Sequence, residues 1–268
     1  MKFNQVFKVW LLAIRPKTLG AAVAPILIGT SMAFAEGKGH FLAAMTALLC
    51  ALLIQIGTNF ANDLYDFING ADNEDRIGPT RVTQSGLLSI SSMKVITAFI
   101  FFTAICCGYP LVIKGGIPIL CIGLASIICG YLYTAGPYPL GYNGLGDIFV
   151  FIFFGPIAVC GTYFLQTHEV TFFALLCGII CGLLSTTLLC VNNLRDVDTD
   201  RESGKKTLAV RLGSKFVRAE FIFILIFIYM ISIVLYLNED KFSLLITLLT
   251  VPISGNLINS IIIKRGVE

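Results

Sequence analysis

Residues 41–66 read F-L-A-A-M-T-A-L-L-C-A-L-L-I-Q-I-G-T-N-F-A-N-D-L-Y-D. An apolar run over 41–60 passes without a break into Asn62, Asp63 and Asp66. A run of roughly 17–25 apolar residues is long enough to cross a bilayer as a helix. Five carboxylates (Asp63, Asp66, Asp72, Glu74 and Asp75) follow within residues 62–75. They do so in a chain of 268 residues that is 56% hydrophobic and 13% charged. A soluble domain carries about 25% charged residues, so scarce negative charge has been gathered at one helix end.

Working outward, similar apolar runs recur at about 18–35, 94–113, 116–134, 147–165, 171–193, 218–237 and 242–262. With the first this predicts eight spans, and the mean hydropathy of +0.86 agrees. The fold class expected is all-α, a polytopic transmembrane helical bundle. The runs are continuous rather than alternating, which argues against a transmembrane β-barrel. Residues 3–14 mix apolar and basic residues and lead to no small-residue cleavage site, so they read as a short interfacial helix, with Trp10 at the headgroup level. Taking the N-terminus as cytoplasmic, 16 of the 19 Lys and Arg fall on the cytoplasmic side and 3 outside. That split predicts cytoplasmic N- and C-termini. The basic residues are spread along membrane-flanking segments, a pattern that does not point to nucleic acid. All nine Cys lie within apolar runs without a C-x-x-C and read as small buried hydrophobes.

Ten of the sixteen acidic residues fall on that same predicted side. Asp196, Asp198, Asp200 and Glu202 follow the sixth run as Asp63 to Asp75 follow the second, and N-N-L-R-D at 192–196 lines up with N-D-L-Y-D at 62–66. Asn62 and Asp66 are four residues apart and share a helix face, as do Asp196 and Asp200. Two oxygen-bearing faces turned on one cavity suit a hard cation such as Mg2+, which binds substrate phosphate as well. Arg76, Arg81, Arg201, Lys205, Lys206 and Arg211 follow the two clusters and suit the outer oxygens of a diphosphate. A charged run between membrane helices is by default only a solvated loop. Here the spacing recurs, and helix C-termini disfavour anions, so a cation partner is the better account.

These residues resemble the UbiA superfamily of intramembrane aromatic prenyltransferases. Its two Asp-rich motifs, N-D-x-x-D and D-x-x-x-D, correspond to Asn62–Asp66 and Asp196–Asp200. The branch that prenylates a dihydroxynaphthoate is the nearest. The segments R-P-K-T-L at 15–19, D-N-E-D-R-I-G-P-T-R-V-T-Q-S-G at 72–86, Y-T-A-G-P-Y-P-L-G-Y-N-G-L-G-D at 133–147 and N-N-L-R-D-V-D-T-D-R-E-S-G-K-K-T-L-A-V-R-L-G at 192–213 carry that likeness. The resemblance implies one prenyltransferase domain over 1–268, a central cavity capped on the cytoplasmic side, and nine spans against the eight found, so that either the chain is truncated at the C-terminus or the ninth helix is dispensable. It implies a bacterial inner-membrane enzyme using a polyprenyl diphosphate, dihydroxynaphthoate and Mg2+, with membrane lipid around it. Asn62, Asp66, Asp196 and Asp200 are then catalytic and metal-holding. Where many members place a third Asp, Gly70 stands here, so Asp72 or Asp75 would take that part. Arg76, Arg81, Arg201 and Lys205 are expected on the diphosphate. Tyr133, Tyr142, Asp147 and Gln84 are expected near the aromatic acceptor. Arg15 and Lys17 either reach phosphate or anchor the first span.

Three rivals bound this reading. A prenyltransferase for 4-hydroxybenzoate would share the motifs but not the I-G-P-T-R and G-Y-N-G-L-G-D segments. A CDP-alcohol phosphotransferase would carry D-G-x-x-A-R, which the sequence lacks. A cation transporter would place its acids within the spans, whereas these cluster at span ends.

Overall fold

The computed structural model describes residues 3–74, 77–239 and 242–263, and these form helices joined by short loops, with no strand among the described residues. The helices that matter are α1 (Phe3–Ile14), α2 (Pro16–Ala35), α3 (Phe41–Ile68) and α4 (Ile90–Leu132). They are followed by α5 (Gly146–Thr167), α6 (Phe172–Arg195), α7 (Ser214–Asn238) and α8 (Phe242–Ile263). Helices α2 to α8 are each long and apolar enough to cross a membrane, and the chain is an integral membrane protein.

Helix starts follow local chemistry. Pro16 opens α2, where its missing N–H costs nothing. Ser89 caps α4 by accepting from the Ser92 N–H at 3.1 Å, and Thr171 caps α6 through the Ala174 N–H at 3.1 Å. The α1 helix lies against the end of α3, with Val9 and Ala13 packed on Phe60, Leu64 and Val82, while Phe7, Leu11 and Leu12 stay exposed. The helix expected over residues 3–14 is thus formed, with an apolar face left uncovered.

Among the described residues the seven long helices give eight segments of membrane length, because α4 folds back on itself. Its 43 residues would run roughly 65 Å if straight, about twice the hydrocarbon thickness. Gly116 breaks it, with φ 69° and ψ −157°, a conformation that only Gly adopts at little cost. Both arms then pack on one level of α3. Phe101 lies over Gly57, where a Cβ would come to 2.7 Å of its ring, and Gly130 lies against Thr58, the next residue along. Tyr131 meets Tyr65 edge to face, with their hydroxyls hydrogen-bonded. Close contact at glycine is how membrane helices gain dispersion where no hydrophobic effect drives them together. The same device joins α5 to α6, where a Cβ on Gly155 would sit 2.6 Å from the Gly178 carbonyl.

The two acid-bearing helix ends differ. The α3 helix runs on through Asn62 and Asp66 to Ile68, so the shared face predicted for that pair is formed. The α6 helix stops at Arg195, and a separate short helix, Val197–Glu202, carries the second motif. The spacing survives the break, since the Asp200 N–H still donates to the Asp196 carbonyl at 2.8 Å.

Candidate active site

A cavity of about 1230 Å³ opens among α2 to α6, above the roughly 300–1,000 Å³ of drug-sized ligand pockets. Its depth is apolar, lined by Ala47, Cys50, Ile54, Leu111, Ile119 and Leu165. Its polar end is where α3 and α6 terminate. On α3, Gln55, Asn59, Asn62 and Asp66 all line it, a polar stripe at helical spacing along one face. Farther back, Asn59 donates to the Ile14 carbonyl at 2.8 Å and to Thr18 Oγ1 at 2.9 Å, which ties α3 to the start of α2. Asn62 Oδ1 accepts from Thr134 Oγ1 at 3.0 Å.

Asp66 is 3% exposed and has a partner for each oxygen. Oδ1 accepts from the Tyr142 hydroxyl at 2.8 Å and lies 3.0 Å from Lys205 Nζ. Oδ2 lies 3.4 Å from Arg81 Nη2. The Lys205 ammonium also stands 3.9 Å from Asp200 Oδ1 and 4.7 Å above the Tyr142 ring. One cation therefore joins the motif on α3 to the motif after α6. Asp196 accepts both arms of Arg195, at 2.7 and 2.6 Å, and both residues line the cavity. Burial and, next, the Asp66 carboxylate push the Tyr142 phenol well above its ordinary value. Burial raises Tyr133 in the same way, with Asp147 and Asp66 adding to it. The upward shift favours the protonated phenol, in keeping with the hydrogen bond that the Tyr142 hydroxyl donates to Asp66.

Asp63 does a different job. It is 2% exposed, and its two oxygens accept from the Val82 N–H at 3.0 Å and the Thr83 N–H at 2.9 Å. This pins the segment that carries Arg81 to α3.

Of the residues singled out by sequence, Asn62, Asp66, Asp196, Asp200, Arg81, Lys205, Tyr133, Tyr142, Arg15 and Lys17 all line the cavity. Six others are not brought there, Lys206 and Arg211 among them. Asp72 is fully buried and paired with Arg81 Nε at 3.0 Å, so it anchors Arg81 instead of facing the cavity. Arg201 is 60% exposed and pairs with Asp198 at 3.2 Å, because it falls on the outer face of a short helix whose inner face carries Asp200. Gln84 sits in the pinned segment without lining the cavity. Asp147 lies behind the wall, grouped with Cys190 and Glu220 of α6 and α7. Arg76 and Asp75 fall outside the described residues. Sequence reasoning passed over Gln55, Asn59, Thr134, Asn192 and Arg195, all of them lining residues. The polar pair Gln55 and Asn59 inside an apolar run was a readable signal, since polar groups in membrane helices face the bundle interior.

The donor set fits a hard divalent cation. Asp66 and Asp200 offer carboxylate oxygens from two elements to one position where positive charge is already held, and Asn62 adds a carbonyl oxygen.

Comparison with known proteins gives the family and the fold. The model of the UbiA prenyltransferase family matches residues 22–262. A 1,4-dihydroxy-2-naphthoate octaprenyltransferase of Escherichia coli (strain K12) is 44% identical over 212 residues, 76% of this chain and 68% of that protein. One from Mycobacterium tuberculosis is 40% identical over 209 residues, 77% of this chain and 70% of that protein. Among solved structures, a UbiA homolog from Archaeoglobus fulgidus bound to DMAPP and Mg2+ superposes with a TM-score of 0.68 at 16% identity, covering 96% of this chain and 85% of that one.

Proposed function

This chain belongs to the UbiA prenyltransferase family, and we propose that it transfers a polyprenyl group from polyprenyl diphosphate to 1,4-dihydroxy-2-naphthoate. The observation that carries the reading is the pairing of Asp66 and Asp200 around one cationic position, at the polar end of a cavity whose depth is apolar. The relatives named for this reaction, at 40% and 44% identity, support the acceptor.

Asp66 and Asp200, with Asn62 and Asp196, would hold Mg2+, which when bound supplies positive charge to the diphosphate. Arg81 and Lys205 line the same end and bring further positive charge to its oxygens. Charge-stabilising groups that are already in place act most strongly on a leaving group as its charge develops. The allylic C–O bond breaks and its electron pair leaves with the diphosphate. The ring carbon that bears the carboxylate forms the new C–C bond. The bond to the carboxyl carbon then breaks as carbon dioxide leaves, and its electron pair restores the aromatic ring. The product is a demethylmenaquinol. The apolar depth holds the isoprenoid tail, and the rings of Tyr133 and Tyr142 flank the reacting end. The same reading places the chain in a bacterial cytoplasmic membrane with both termini and the site on the cytoplasmic side, as the excess of Lys and Arg there supports.

The test is direct. Membranes containing the chain, given Mg2+, labelled polyprenyl diphosphate and 1,4-dihydroxy-2-naphthoate, yield a prenylated naphthoquinol and carbon dioxide, while 4-hydroxybenzoate is left untouched. Transfer to 4-hydroxybenzoate alone, or to neither acid, overturns the assignment.

A further inference from the structure

Lys205 is not delivered as a surface lysine is. After the short helix Val197–Glu202 the chain reverses at Gly204, whose φ is 78°. The Lys205 N–H then donates to the Asp200 carbonyl, and the Lys206 N–H to the Tyr142 carbonyl, each at 2.8 Å. With its backbone held on both sides, the side chain is 15% exposed and points its ammonium between Asp66 and Asp200. A divalent cation held by those two carboxylates needs the same oxygens. Two like charges a few Å apart repel, and more strongly in a buried site than in water. The ammonium and the metal therefore oppose each other at the bare carboxylates.

A diphosphate reverses the balance. It offers the ammonium another anion within reach of the same side chain, through charge-assisted hydrogen bonds, and frees the carboxylate oxygens for the metal. We propose that Lys205 is a coupling residue, which weakens metal binding to Asp66 and Asp200 alone and makes it tight only when the diphosphate takes the ammonium. Metal and diphosphate then load as a pair, each raising the other's affinity, as linkage requires. This rests on the reading of Asp66 and Asp200 as metal-holding residues and deepens it.

The experiment uses the full chain in detergent with Mn2+ as the probe, read by electron paramagnetic resonance, with and without an unreactive prenyl thiodiphosphate. In the Lys205→Met variant, Mn2+ alone binds about tenfold tighter than in the unaltered protein, and the gain on adding the analogue shrinks; couplings of this kind run to roughly 5–150-fold. Lys205→Arg keeps the charge and stays near the unaltered protein. Unchanged or weaker binding of Mn2+ alone in Lys205→Met overturns the coupling role but leaves the metal site standing. Failure of the unaltered protein to bind Mn2+ even with the analogue overturns the metal site as well. A second measurement needs no variant: saturating Mg2+ without diphosphate raises acetylation of Lys205 by an amine reagent several-fold, read by mass spectrometry of its peptide. Unaltered labelling counts against the proposal.

Discussion

Asp63 and Asp66 stand three residues apart on α3 and are held by different kinds of partner: Asp63 by the backbone N–H groups of Val82 and Thr83, Asp66 by the side chains of Tyr142, Lys205 and Arg81. The first grips a loop and the second faces the cavity, so only the second carboxylate is placed to touch the chemistry. Asp66→Asn is expected to lower turnover by about 10²–10³-fold, the usual cost of removing a preorganised charge-stabilising group, and to lower the melting temperature as well, because it leaves Arg81 and Lys205 without their buried charge partner. Asp63→Ala removes two hydrogen bonds to a charged acceptor, worth about 1.5–3 kcal/mol each, and is expected to lower the melting temperature in detergent. A loss of turnover in Asp63→Ala as large as that in Asp66→Asn, measured below both melting temperatures, would refute the division.

Arginines at 81 and 201 follow the motifs alike in sequence and are unlike in the structure. Arg81 is buried between Asp66 and Asp72, and removing one partner of a buried ion pair costs about 3–5 kcal/mol. Arg81→Ala should therefore lose both stability and turnover. Arg201→Ala touches only an exposed pair with Asp198, worth about 0–1 kcal/mol. Its turnover should stay within about fivefold of the unaltered protein by the cited range. A severe defect in Arg201→Ala, measured by product formation, would contradict the placement.

Tyr142 serves Asp66 with its hydroxyl and Lys205 with its ring. Tyr142→Phe removes the hydrogen bond and keeps the ring. A loss of about 10–100-fold in kcat/KM is expected, from roughly 1.5–3 kcal/mol for a bond to a charged acceptor. Tyr142→Leu removes the ring as well and should lose more, by about 0.5–2 kcal/mol of cation–π attraction. A Phe variant no better than the Leu variant would mean that the ring contributes nothing.

The turn at Gly116 asks for a left-handed backbone. Gly116→Ala places a Cβ in this essentially glycine-only conformation at a cost of about 1–3 kcal/mol. Thermal unfolding in detergent should show a lower midpoint, while KM for either substrate stays put because Gly116 does not line the cavity. An unshifted midpoint would mean that the break is not under conformational constraint.

Much of this was legible in advance. Apolar run length gave the spans, including the two arms of α4, since the interruption near Gly116 divides two runs that are each of membrane length. The spacing of Asn62 and Asp66 gave a face, because α3 continues past both. The roles of Asp72 and Arg201 were not legible. Each has the charge and motif distance of a site residue, and only the three-dimensional return of the loops puts Asp72 behind Arg81 and Arg201 outside. Asp147 misled for a related reason: it begins α5 beside the cavity, but its side chain belongs to the α6 and α7 side. Lys205 was visible as a basic residue near the second motif, but its meeting with the first depends on Gly204 and on two backbone hydrogen bonds that no local pattern announces.

The reversal at Gly116 has a consequence for biosynthesis. It leaves almost no loop, so nothing soluble has to be carried across the bilayer between the arms of α4. The first arm on its own would show lipid a face shaped for α3 and for the second arm, and the second arm follows it within one residue. Residues 90–132 are therefore expected to enter the membrane as a single two-helix object, with their sidedness decided once rather than twice.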